Sequence, residues 1–123
     1  MKALVIDDEA EMRQLIAAIL QQAGYEVHQA ADGRLGYGIF EDVQPDLVVT
    51  DIIMPNEEGI GTIRRLLAAR PDLPIIAVSG GSRTGSVDYL RMAKQLGARA
   101  ILPKPFRKQE LLDLVRSLRS ETD

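Results

Sequence analysis

Apolar and polar positions along the chain fall into two kinds of run that alternate from one end to the other. Lys2 to Ile6, Leu47 to Val49 and Pro74 to Ser79 are short, almost unbroken apolar stretches, the pattern of strands buried on both faces in a parallel sheet. Tyr25 and Val27 instead alternate with polar neighbours through Ala30, which predicts a strand with one wetter face at a sheet edge. Ala100 to Leu102 is a further, shorter strand. Helical spacing fills the intervals. Met12, Leu15, Ile16, Ile19, Leu20 and Ala23 mark a first helix that Gly24 is placed to end. After a turn at Ala31-Asp32-Gly33, the residues Leu35, Ile39, Phe40 and Val43 mark a second. It is weakened by Gly36 and Gly38, each costing about 1 kcal/mol relative to alanine. Ile60, Ile63, Leu66 and Leu67 mark a third, with Arg64 and Arg65 on its solvated side and Pro71 at its end. Val87, Leu90, Ala93 and Leu96 mark a fourth, stopped by Gly97, and Leu111, Leu112, Leu114, Val115 and Leu118 a fifth whose leucines are expected in the core. Residues 80–86 have loop composition throughout.

Strict alternation of five strands with five helices predicts an α/β fold: a (βα)5 doubly wound parallel sheet covered on both faces, a three-layer sandwich with right-handed crossovers. The half-polar second strand and the short fifth suit the two edges, which agrees with the flavodoxin-like strand order 2-1-3-4-5. In that order the first and third strands are neighbours, and the crevice beyond their carboxyl ends, where the winding reverses, is where such sheets bind ligands.

Composition narrows the function classes. A length of 123 residues predicts a single domain spanning 1–123, with no effector domain beside it. Cysteine is absent, which excludes disulfides and thiolate metal sites and points to a cytoplasmic address. Lys2 and the apolar residues after it resemble a leader only until Asp7-Asp8-Glu9, and no apolar run reaches membrane-spanning length. A net charge of −3 with both signs scattered offers no basic stripe, so direct nucleic-acid binding and membrane association are not expected. His28, the single histidine, reads as a surface or packing residue on the edge strand.

The candidate chemistry stands at the carboxyl ends of the strands: Asp7 and Asp8 after the first, Asp51 after the third, Ser79 after the fourth, Lys104 after the fifth. Each alone has a bland reading as a cap, a turn former or a surface charge. Jointly they bring three acids, a hydroxyl and an ammonium to one crevice. Carboxylates crowded together resist ionisation unless a cation shares them. Oxygen donors without His or Cys favour Mg2+, which keeps several waters and asks for one or two carboxylates. A nucleophilic carboxylate, a hydroxyl donor and a lysine point charge complete a set suited to phosphoryl transfer onto Asp51.

These residues carry a family resemblance. Asp7-Asp8, Asp51-Ile52-Ile53-Met54-Pro55 with Gly59, Ser79 after a buried strand, and Lys104-Pro105-Phe106 together resemble the receiver domain of two-component response regulators, over the whole chain. The resemblance implies that Asp51 accepts a phosphoryl group from a sensor histidine kinase or a histidine phosphotransfer protein. It implies that Asp8, Asp51 and the Ile53 backbone carbonyl ligate Mg2+, that Asp7 assists from behind them, and that Ser79 and Lys104 contact the phosphoryl group. It further implies a cis bond before Pro105, a downstream protein partner, and a monomer or a phosphorylation-dependent dimer. Three positions depart from the family's habit. Ile101 stands where an aromatic residue is usual, three residues before Lys104; the loop after Ser79 is longer and richer in glycine; and Ile53 and Gly81 fill two positions that govern water access to the phosphoryl group.

Two other classes share parts of the pattern. A phosphorylation-independent binding module would keep the fold without the chemistry, and the intact acids, Ser79 and Lys104 count against it. An Asp-nucleophile phosphatase similar to the haloacid dehalogenases would carry a second acid two residues after the nucleophile, where this chain has Ile53.

Overall fold

Every stretch predicted as a strand becomes one, and every helical run folds between its strands. A computed structural model of the chain describes residues 1–52, 58–80 and 86–122. In order they form β1 (Lys2–Ile6), α1 (Ala10–Gln22), β2 (Glu26–Ala30), α2 (Gly33–Val43), β3 (Leu47–Asp51), α3 (Glu58–Ala69), β4 (Ile75–Gly80), α4 (Ser86–Leu96), β5 (Ala100–Lys104) and α5 (Lys108–Thr122). The five strands make one parallel sheet in the order β2-β1-β3-β4-β5, as the sequence pattern predicts. β1 pairs with β3 through Ile6 and Thr50, and β3 with β4 through Asp51 and Val78, so the strands bearing the candidate residues end side by side.

Alternation along the strands divides the interior in two. Ala3, Val5, Leu47, Val49, Ile76, Val78, Ala100 and Leu102 pack against Ile16, Ile19 and Leu20 of α1 and Leu111, Val115 and Leu118 of α5. Leu4, Ile6, Val48, Ile75 and Ala77 pack on the other side against Phe40 of α2, Ile63 and Leu66 of α3, and Ala93 of α4. Burial of these side chains, about 1.5–3 kcal/mol for each large one, is what holds the three layers together.

The elements differ from expectation in a few places. β5 runs two residues further than predicted, through Pro103 and Lys104, because an edge strand tolerates a residue with no N–H to donate. Leu15 and Leu35 keep their helical spacing but lie 50% and 56% exposed, at the margins of their apolar stripes. In α5, Leu111 and Leu118 are core, whereas Leu112 and Leu114 are only partly buried. α2 is better supported than its glycines predict: the Asp32 carboxylate accepts from the Leu35 amide at 2.8 Å, and Gly36 is buried where a Cβ would meet Ile6 Cδ1 at 2.5 Å. Gly24 and Gly97 end α1 and α4 with φ of 98° and 122°, a conformation that favours glycine.

Candidate functional site

β1, β3 and β5 each continue the column of side chains that faces α1 and α5, and the next residue of that column on each strand is polar: Asp7, Asp51 and Lys104. The fold therefore gathers these three at one point. Lys104 Nζ lies 3.3 Å from Asp7 Oδ2 and 3.3 Å from Asp51 Oδ2. The Lys104–Pro105 peptide bond is cis, as the resemblance implies. Carboxylate oxygens of Asp7, Asp8 and Asp51 all lie within 4.8 Å of one another.

The three acids differ in what already holds them. Asp7 is fully buried: its Oδ1 accepts from the Glu9 amide at 2.9 Å, its Oδ2 from Lys104, and its own amide donates to Ala30 O at 3.1 Å. Burial pushes its carboxyl above the usual range and the nearby Asp8 adds to this, while the Glu9 amide and Lys104 hold it partly down. Asp51 is 7% exposed, and the Thr50 hydroxyl beside it donates to the Asp51 carbonyl at 3.0 Å. Asp8 is exposed, and no hydrogen bond or ion pair reaches its carboxylate among the described residues.

Ser79, the penultimate residue of β4, lies on the opposite parity, continuing the column of Ile75 and Ala77 toward α3 and α4. It is fully buried, and its Oγ has no hydrogen-bond partner among the described residues. A buried hydroxyl left without a partner costs roughly 1–3 kcal/mol, so its presence at a strand end beside Asp51 is a cost that a ligand oxygen would relieve. Ile53 and Gly81 lie outside the described residues. Gly59, at the start of α3, sits so close to the end of β3 that a Cβ there would fall 2.2 Å from the backbone of Ile52, which accounts for glycine at that position. Ile101 lies on the edge strand, 36% exposed.

Contacts of two side chains, His28 and Arg13, escape a reading of the sequence by apolar spacing. His28 Nε2 pairs with Glu26 Oε2 at 2.8 Å, since residues two apart share a strand face. Arg13, on the first turns of α1, donates from Nη1 to Asp7 O at 2.9 Å and from Nε to Gln29 Oε1 at 3.3 Å.

Comparison with known proteins decides what this constellation belongs to. The family model of the response regulator receiver domain matches residues 3–116. The chain belongs to that family. Among curated relatives of this receiver domain, a probable transcriptional regulator, ycf27, of Cyanophora paradoxa is 38% identical over 122 residues, covering 99% of this chain and 49% of that protein. The DNA-binding transcriptional regulator NtrC of Azospirillum brasilense is 36% identical over 97% of this chain and 24% of its own length. The chain thus spans half or less of these relatives. Among solved structures, the receiver domain of NtrX from Brucella abortus superposes with a TM-score of 0.87 at 31% identity, covering 98% of this chain and 99% of that one. A receiver domain protein from Clostridium thermocellum gives 0.89 at 31% identity, covering 98% and 95%. The receiver domain is a signalling unit of two-component systems, and no helix among its described residues is long and apolar enough to cross a membrane.

Proposed function

We propose that this receiver domain takes a phosphoryl group from a phosphohistidine donor onto Asp51, with Mg2+ bound, and changes conformation to signal to a protein partner. The observation that carries the reading is the imbalance at the crevice: carboxylates of Asp7, Asp8 and Asp51 within 4.8 Å of one another, against Lys104 as the cation in contact. Oxygen donors so placed suit a hard divalent ion, and Asp8 and Asp51 would hold it together with the Ile53 carbonyl. When bound, Mg2+ offsets negative charge on the transferred oxygens.

An Asp51 oxygen attacks phosphorus, the P–N bond of the donor breaks, and its electron pair stays on the imidazole nitrogen, which takes a proton from water. Lys104 moves its contact from the carboxylates to the new phosphoryl oxygens, and the Ser79 hydroxyl, without a partner among the described residues, donates to one of them. Water later attacks phosphorus, restoring the carboxylate and releasing inorganic phosphate. Turning a 1:99 conformational preference into 99:1 takes about 5.5 kcal/mol of differential stabilisation, to which the new contacts of Ser79 and Lys104 contribute. The chain acts as a phosphoacceptor that catalyses only its own phosphotransfer and dephosphorylation. Its upstream partner is a sensor histidine kinase or a histidine phosphotransfer protein, and its setting is the cytoplasm. All ten described elements serve one sheet, which supports reading residues 1–123 as a single receiver unit.

The test is to incubate the protein with Mg2+ and a small phosphoryl donor and weigh it intact. A labile phosphoryl adduct that vanishes in Asp51→Asn is expected. Multiple turnover without an adduct identifies a phosphatase, and no reaction at all identifies a bare binding module.

A further inference from the structure

Asp8 is the acid on which cation binding would most depend and the one the fold holds least directly: it is exposed, with no hydrogen bond or ion pair to its carboxylate among the described residues. Its position is inherited from Asp7. The peptide unit joining them is planar, so fixing the Asp7 carbonyl fixes the plane that contains the Asp8 nitrogen and Cα, the point from which its side chain departs. That carbonyl accepts from Arg13 Nη1 at 2.9 Å. The guanidinium is itself tied to the neighbouring strand, its Nε donating to Gln29 Oε1 at 3.3 Å. Other contacts hold the residues on either side of Asp8, the Asp7 amide donating to Ala30 O at 3.1 Å and the Glu9 amide to Asp7 Oδ1 at 2.9 Å, while Glu9 occupies the N-cap position without a side-chain hydrogen bond to the helix.

We infer that Arg13 is a positioning residue for the cation site, clamping the Asp7–Asp8 turn against β2 so that the Asp8 carboxylate is presented to the ion. The planar fork of arginine suits this, since it reaches two acceptors in fixed directions, which a lysine ammonium does not reproduce. The assignment rests on the reading of Asp8 as a Mg2+ ligand. It has a counterintuitive sign. Arg13 is a positive charge near a cation site, so electrostatics alone says that removing it tightens Mg2+ binding. Positioning says the opposite.

The experiment is calorimetric titration of Mg2+ into the wild type, Arg13→Gln, Arg13→Lys, Gln29→Ala and Asp8→Asn. The wild type is expected to bind and Asp8→Asn to lose binding. Arg13→Gln should bind about tenfold more weakly, in the range typical for residues that orient a metal ligand. Arg13→Lys, which keeps the charge, should also weaken binding, and Gln29→Ala should do so to a smaller degree. Unchanged or tighter binding in Arg13→Gln overturns the inference while leaving the site assignment standing. If that variant does not fold, unchanged binding in both Arg13→Lys and Gln29→Ala overturns it equally. A wild type with no Asp8-dependent binding overturns the site assignment itself.

Discussion

The two ends of the sheet are built from similar residues and settled in different ways. At the amino end, charged groups reach partners singly. The Lys2 amide donates to Asp46 Oδ2 at 2.8 Å and the Asp46 amide to Lys2 O at 2.7 Å; Arg70 Nη1 reaches Pro45 O at 2.8 Å and Arg99 Nη2 reaches Asp72 O at 3.2 Å. At the carboxyl end, Asp7, Asp8 and Asp51 bring carboxylate oxygens within 4.8 Å of one another, Lys104 contacts Asp7 and Asp51, and Ser79 Oγ is buried with no partner among the described residues. The first end is held by backbone and single side-chain contacts. At the second, among the described residues, acids and a buried hydroxyl are gathered at one point, the arrangement on which the functional reading rests.

The strongest way to test that contrast is to add a divalent cation. Mg2+ at a hundredfold its dissociation constant should raise unfolding free energy by about 2.7 kcal/mol, read as a shift in thermal midpoint, and Asp8→Asn should abolish the shift. Next in size, Gly59→Ala should cost about 2 kcal/mol in chemical denaturation, because its Cβ would overlap the Ile52 backbone at 2.2 Å. Gly61→Ala, two residues on in the same helix with nothing within 4 Å of a Cβ, should instead stabilise by about 0.5–1 kcal/mol.

Asp7 gives a pH test. Its carboxyl titrates above the ordinary 3.8 in the folded chain, so between the unfolded and folded values the native state binds more protons, and stability falls as pH rises through the folded value. Metal-free Asp7→Asn should therefore be more stable than metal-free wild type at neutral pH. Below the ordinary value both are uncharged there, and the gap should close. The smallest effect belongs to the other end: Asp46→Ala should lose about 0.5–1 kcal/mol and leave Mg2+ affinity unchanged.

Fold and site were legible in the sequence to different depths. The placement of β2 at an edge and β3 inside the sheet could be read because Tyr25 and Val27 alternate with polar residues whereas Leu47 to Val49 do not, and that contrast reflects edge against centre. The convergence of Asp7, Asp51 and Lys104 could be read because topology alone brings strand ends together. Angular position within a helix could not: Leu15 and Leu35 fit the spacing yet lie in water, since spacing gives a face but not its width. The support given to α2 by Gly36 was hidden because its benefit is a close approach to Ile6, visible only once the layers are packed. Arg13 was hidden because its partner is a backbone carbonyl, which no side-chain pattern records.

Ser79 and Asp51 sit on adjacent strands but belong to opposite halves of the interior, one with Ile75 and Ala77, the other with Leu47 and Val49. A group small enough to touch both would act as a rivet through the sheet. Whatever tugs on it from the α1 and α5 side is then felt beneath α3 and α4, with no strand having to change neighbours.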